Sequence, residues 1–381
     1  MSGPIVTAVV SASTWATATA APAPGAGVGT VISARPIPAG QELGGAARGT
    51  LVTYRTTDEY GKPAVSNGQV FVPAGKPPAG GWPVVAWGYG TTGVNPACAT
   101  TEHIEAGEKP GLAAELSNEA ISAFLKRGYA VAATDYIGLG GSSAKHHYLS
   151  SKAEGHALID VVRAARATDP HVGTVWVSAG HSQGGQAALM ANRLADTYAP
   201  ELSMRGTLAF APESNAENLL QLLFPGLPSP GGVLDGVTSL LLYTLYGLND
   251  SRPDIHALSV LNPRGMALYE KAKTMCITDL RKEVTGVSPG AILNQPLITP
   301  TFSMALHDYM GIPTTGWTHP VAIYHGTDDH VVPTYLSVAL AGELHFGGST
   351  ATLALERGTS HYQVIHEALP AAETALDTMT R

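Results

Sequence analysis

The run Gly180-His181-Ser182-Gln183-Gly184 constrains this chain more than any other, because it joins an apolar run at residues 174–177 to a helix-forming run at 186–195. A serine between a buried strand and a helix must sit on a tight turn. Such a turn needs neighbours without bulky Cβ groups, so that strand and helix can approach each other. Gly180 and Gly184 meet that need, and Gly185 adds slack. The spacing predicts a nucleophile elbow with Ser182 at its apex. A glycine-rich turn whose serine only caps a helix is the plainer alternative.

A hydroxyl is a poor nucleophile at neutral pH, so an elbow serine implies an acid and a base further along, in the order Ser, Asp or Glu, His. Residues 321–325 read as a buried strand running into the polar turn Gly326-Thr327-Asp328-Asp329-His330, ahead of Val331-Val332-Pro333 and the next helix. Asp329 is the predicted acid, and Asp328 is the neighbour that could replace it. Residues 350–356 form the next predicted strand, and the loop 357–362 after it opens the last helix. His361 in that loop is the predicted base, 32 residues past Asp329, which leaves room for one helix and one strand. Acyl chemistry also needs two backbone N–H donors for the developing oxyanion. Gln183, directly after the serine, supplies one. The other is expected from the glycine-rich loop 88–93 that follows the strand 83–87, with Thr91 first and Thr92 second.

Strand and helix patterns alternate from about residue 69 onward, which predicts an α/β fold with a mostly parallel sheet flanked by helices. Residues 51–55 and 69–72 read as opening strands that pair as an antiparallel hairpin. A helix is expected at 117–128 with Ser117 as its cap, then a strand at 129–134, a helix at 150–167 and a strand at 206–211. After that the alternation lapses until Val321. The expected organisation is therefore a core of residues 31–212 and 319–381, with a mainly helical cap or lid inserted at 213–318. Within the insertion Leu234, Val237, Leu241, Leu245 and Leu248 make a one-sided stripe, read as internal packing of the cap in preference to a lipid-facing surface. An apolar cap implies a substrate with an apolar arm.

Other classes fit poorly. Net charge is −8 with 22 basic residues and no basic run, so nucleic acid is not an expected partner. The turn Gly138-Leu139-Gly140-Gly141 has Ser143 where a dinucleotide fingerprint needs glycine, and no phosphate-binding lysine motif occurs. Histidines 146, 147, 307, 319, 325 and 330 lack metal-ligand spacing, so no metal is expected. The strongest apolar segment, 236–248, is too short to span a bilayer. Residues 1–30 are rich in Ala, Thr, Ser and Pro and include an Ala-Thr-Ala-Ala stretch like the cleavage region of an export signal, without a basic start. They are read as a partial secretory signal or a low-complexity tail outside the fold. In an exported protein the two cysteines, Cys98 and Cys276, suggest one disulfide, with two free buried thiols as the alternative.

With these residues in hand, the chain resembles the secretory lipase family, the lipase A-like branch of the α/β-hydrolases. The matching segments are 87–98 (WGYGTTGVNPAC), 128–140 (GYAVAATDYIGLG), 180–185 (GHSQGG), 325–333 (HGTDDHVVP) and 358–361 (GTSH). They cover the core and leave the insertion poorly matched. The resemblance implies hydrolysis of carboxylic esters, including lipid esters, with no cofactor. By position it implies a triad of Ser182, Asp329 and His361. It also supports the pairing of Cys98 with Cys276. The chain departs from the family's usual His-Gly at the oxyanion loop, carrying Tyr89-Gly90 instead. The same machinery could serve an acyltransferase or a peptidase, and the fold could persist in a binding protein. Activity is expected to rise as His361 loses its proton in the ordinary histidine range, about 6 to 7.

Overall fold

A computed structural model describes residues 27–381 apart from 109–110, 142–143 and 231–233. Most of the expected signal or tail, residues 1–30, lies outside the described residues. The strands are β1 (Val31–Pro36), β2 (Ala46–Thr57), β3 (Pro63–Pro73), β4 (Trp82–Gly88), β5 (Ala130–Ile137), β6 (Val172–His181), β7 (Ser203–Phe210), β8 (Val321–Gly326) and β9 (Ala351–Glu356). The helices of the first part are α1 (Thr100–Glu105), α2 (Leu112–Lys126), α3 (Ser151–Thr168) and α4 (Gln183–Tyr198). Between β7 and β8 come α5 (Ala216–Gln221), α6 (Asp235–Ser251), α7 (Pro263–Ala272), α8 (Ile277–Glu283) and α9 (Pro300–Met310). The chain closes with α10 (Thr334–Phe346), α11 (Val364–Glu367) and α12 (Leu369–Thr380).

Among the described residues the nine strands form one sheet in the order β1-β2-β3-β5-β4-β6-β7-β8-β9. Strands β1, β2, β3 and β5 pair antiparallel, and every pairing from β5 through β9 is parallel. The parallel strands are apolar on both faces, as a sheet covered by helices on each side requires. Val84, Ala86, Ala130 and Ala132 face α3 and α4. Their neighbours Val85, Trp87, Val131 and Ala133 face α2, α11 and α12. That two-residue alternation divides the core into two apolar layers.

Strand β1 is not among the expected strands; five of its six side chains are exposed at the sheet edge, so it has no burial pattern to read. Strands β2 and β3 run longer at both ends than the expected 51–55 and 69–72. Helix α2 begins at Leu112 and not at Ser117; Ser117 lies inside it, and its hydroxyl donates to the Ala113 carbonyl at 2.9 Å. A serine can bond back to the preceding turn as readily as it caps a helix.

The α5–α9 stretch has its own apolar cluster, which also takes in Val94, Tyr148 and Leu149. In α6, Val237, Leu241, Leu245 and Leu248 are all buried, so the stripe packs inward. Each fully buried leucine contributes about 2 kcal/mol. No helix among the described residues is long and apolar enough to cross a membrane.

Candidate active site

Because the strands are parallel and in register, β4, β6, β7, β8 and β9 end on the same edge of the sheet, where Gly88 lies beside Gly180, His181 beside Phe210 and Phe210 beside Tyr324. Open α/β sheets place their sites at that edge. Strand β6 delivers Ser182 there with φ of 56° and ψ of −119°, a conformation non-glycine residues rarely adopt and which stores about 1–3 kcal/mol. Bonds from the neighbouring strand ends hold it: the Ser182 N–H donates to the Phe210 carbonyl at 2.9 Å, and the Ser182 carbonyl accepts from the Glu213 N–H at 3.1 Å. The flanking glycines are obligatory. A Cβ on Gly180 would strike the Gly184 carbonyl, and one on Gly184 would strike the Gly88 carbonyl of β4.

The loop after β9 brings His361 over this serine, with Nε2 at 3.0 Å from Ser182 Oγ. Its Nδ1 lies 2.6 Å from Asp329 Oδ2, supplied by the loop after β8. The other carboxylate oxygen, Oδ1, accepts the N–H groups of Val331 and Val332 at 2.8 Å each. All three side chains are buried. With a carboxylate facing Nδ1, the ring carries its proton there and presents Nε2 as an acceptor for the serine hydroxyl. Asp328 does not join them: it is exposed, and its carboxylate accepts from the hydroxyl of Thr327 at 3.2 Å.

Burial pushes the Asp329 carboxyl up, but the hydrogen bonds from His325, His361 and the Val332 N–H outweigh it and hold the group well below the usual carboxylate range. For His361 burial is again the largest influence, and it disfavours the imidazolium. Asp329 opposes that effect, Arg281 and His325 add to it, and the net result is a proton affinity below the ordinary histidine value. The expectation of ordinary titration at about 6 to 7 is therefore corrected downward, because the ring is enclosed and faces cationic as well as anionic neighbours.

Gln183 opens α4, so its N–H belongs to the first turn and has no intrahelical acceptor. Its side chain is turned away from the serine: Nε2 donates to Glu154 Oε1 at 2.7 Å and lies 3.0 Å from His146 Nε2. Burial lowers His146 to about 4, so this ring is neutral, donating from Nδ1 to the Ile137 carbonyl at 2.9 Å. The glycine-rich loop after β4 passes close over the serine, since a Cβ on Gly90 would lie 3.6 Å from the Ser182 Cβ. Thr91 Oγ1 is 2.8 Å from the Tyr148 hydroxyl. The Thr92 carbonyl accepts from the Ile277 N–H at 2.8 Å. One residue on, Gly93 bridges to Cys276, which is disulfide-bonded to Cys98.

Several residues were not anticipated. Glu213, just past β7, accepts from the Tyr148 hydroxyl at 2.9 Å, and burial pushes its carboxyl up to about 7. An acid at the end of the strand beside the nucleophile strand was a legible signal. His181 donates from Nε2 to the His361 carbonyl at 2.8 Å, so it braces the loop of the predicted base besides packing beside the elbow. Burial lowers His181 to about 3, which keeps it neutral. Arg281 of α8 donates to the hydroxyl of Tyr362, the residue after His361, and stands 5.6 Å from that ring's centre. Nothing in the local sequence of α8 marks Arg281 as close to the site.

A small cavity of about 20 Å³ opens beside Glu213, lined by apolar side chains that include Leu149, Leu220, Leu240, Val332 and Leu336. A larger one, about 370 Å³, lies behind Gln183 among Tyr136, Lys145, His146, Glu154 and Asp250 and does not reach Ser182. Among the described residues no group of three or more His, Cys, Asp or Glu side chains could hold a metal ion.

The profile of the secretory lipase family matches residues 108–377. Among curated sequences, a probable inactive lipase from Mycobacterium tuberculosis is 26% identical over 320 residues, which is 80% of this chain and 67% of that protein. Lipase A of Moesziomyces aphidis is 28% identical over 252 residues, 64% of this chain, and the match spans 51% of the relative. Among solved structures, Candida antarctica lipase A in its closed state aligns with a TM-score of 0.75 at 20% identity, covering 93% of this chain and 83% of that one. The rice cell wall degrading esterase of Xanthomonas oryzae aligns with a TM-score of 0.71 at 19% identity, covering 93% and 100%. At such identities the likeness establishes the fold, which is that of the α/β-hydrolases.

Proposed function

This chain belongs to the secretory lipase family, and from that premise we propose that it is an exported serine hydrolase that cleaves carboxylic esters with an apolar arm. The observation that carries the reading is the continuous contact from Ser182 Oγ to His361 Nε2 at 3.0 Å and from His361 Nδ1 to Asp329 Oδ2 at 2.6 Å. A probable inactive lipase among the relatives makes that geometry more telling than family membership alone. The disulfide favours an oxidising compartment, in keeping with export.

In this mechanism His361 Nε2 takes the proton of Ser182 Oγ as the oxygen attacks the ester carbonyl carbon. Asp329 holds the tautomer and balances the imidazolium. The N–H groups of Gln183 and Thr91 receive the oxyanion, the first with the added field of the α4 N-terminus. The new Nε2–H then goes to the departing alcohol, leaving an acyl-enzyme. Water repeats the sequence and releases the acid. Residues 213–318 act as the cap and 31–212 and 319–381 as the hydrolase core, and the apolar packing of the cap favours a substrate with an apolar arm.

Ser182→Ala should abolish hydrolysis of p-nitrophenyl esters from acetate to long acyl chains while leaving the circular dichroism spectrum unchanged. An organophosphonate should label the parent protein at Ser182 alone. Retained turnover in the variant, or an unlabelled Ser182 in the parent, is the result that overturns the reading.

A further inference from the structure

Strand β8 ends in His325-Gly326, and the buried imidazole of His325 turns back beneath the loop that carries Asp329. Its Nε2 lies 3.0 Å from the Val332 carbonyl oxygen and 3.1 Å from Asp329 Oδ2. Both are acceptors, so Nε2 carries the proton. Nδ1, 2.8 Å from Ser337 Oγ of α10, then accepts from that hydroxyl. One carboxylate oxygen, Asp329 Oδ2, is thus approached by two imidazoles: Nδ1 of His361 at 2.6 Å and Nε2 of His325 at 3.1 Å. A nucleophile, a base and an acid do not by themselves require this second ring, and an apolar side chain could fill the space without three polar contacts to satisfy.

We propose that His325 is a positioning residue of the hydrolytic machinery: by sharing Asp329 Oδ2 with His361 it fixes the carboxylate's orientation and weakens the acid's hold on the base. The inference rests on the reading of Ser182, His361 and Asp329 as the reacting set. Its physical basis is competition. A carboxylate that accepts from Val331 and Val332 at Oδ1 and has His325 Nε2 3.1 Å from Oδ2 has less charge left to stabilise an imidazolium at 361. The other groups facing His361 are Arg281 of α8, which approaches through Tyr362, and neutral His181 of β6. Glu213, past β7, is close enough for its charge and that of Asp329 to repel. Arg281 and His325 oppose a proton on His361, and Asp329 favours one. Removing His325 leaves Asp329 to act on His361 unshared, with Arg281 unchanged, so the base should hold its proton to higher pH.

The test is the pH dependence of Ser182 phosphonylation and of kcat/KM on a soluble p-nitrophenyl ester in His325→Phe and Ser337→Ala. The acid limb should move up, by about one pH unit in His325→Phe, a tenfold change in the ionisation constant. Ser337→Ala removes only the hydroxyl that orients the ring, and should move the limb in the same direction by less. A limb that stays in place in folded His325→Phe overturns the proposal, leaving His325 as packing. If that variant does not fold, an unmoved limb in Ser337→Ala overturns it. Loss of phosphonylation in the parent protein would instead sink the triad itself, so the two failures are distinguishable.

Discussion

At the scale of single residues, the reactivity of this site follows from enclosure more than from residue type. His361 has the usual acid partner, yet burial, with Arg281 and His325 acting in the same direction, outweighs Asp329 and lowers its proton affinity. The sign follows directly. A base whose pKa lies below the ordinary 6.5 stays neutral, and so competent, to a lower pH, and activity is lost only as pH falls through that lowered value. The acid limb of kcat/KM should therefore have its midpoint below about 6.5, as read from a pH-rate profile of the free enzyme. A midpoint at or above that value would contradict the balance of burial and charge drawn here. The same scale explains the elbow glycines: at Gly180 the clash a Cβ would cause lies within the strand-turn-helix unit itself and is written locally, whereas at Gly184 it is with the Gly88 carbonyl of β4.

Among the elements, the loop after β4 is held from two sides. Thr91 leans on Tyr148, which precedes α3, and Tyr148 leans on Glu213, whose own N–H holds the Ser182 carbonyl. The elbow and the loop proposed to hold the oxyanion are thereby linked through one hydroxyl. Tyr148→Phe should lower kcat on p-nitrophenyl esters about tenfold with little change in KM, since a displaced donor acts on the transition state. It should also cost about 1–3 kcal/mol in urea denaturation, because the buried Glu213 loses its hydrogen-bond partner. Unchanged kcat would show that the loop keeps its position without this contact. Strand β1, absent from the expected elements, lies at an exposed edge and has no periodic burial, and α2 has a periodic buried face but starts without the side-chain cap from which its first residue could be read.

Across the whole molecule, the Cys98–Cys276 disulfide joins the segment after the glycine-rich loop 88–93 to the start of α8 across 178 residues. The adjacent Ile277 N–H to Thr92 carbonyl bond runs parallel to it. Cys276→Ser should lower stability by about 2–5 kcal/mol, measured by thermal or urea unfolding, chiefly by releasing the unfolded chain. It should also reduce kcat, since α8 carries Arg281 and abuts the loop of the proposed oxyanion donor. Lost stability with full kcat would confine the disulfide to a structural role.

The chain alone disclosed the alternation of strands and helices through most of the core, the elbow and the three side chains that meet there. Each of those features is encoded by neighbours within one strand-loop-helix unit, where periodicity and steric demand act over a few residues. Burial in the folded state decided the rest: His325 on the shared carboxylate oxygen, Arg281 against Tyr362, and Glu213 beneath Tyr148. The last two pairings join segments far apart in the chain, and the first matters only because His361 arrives at the same oxygen from another loop; their effect on charge depends on how completely packing removes water, a quantity that no local pattern of residues records.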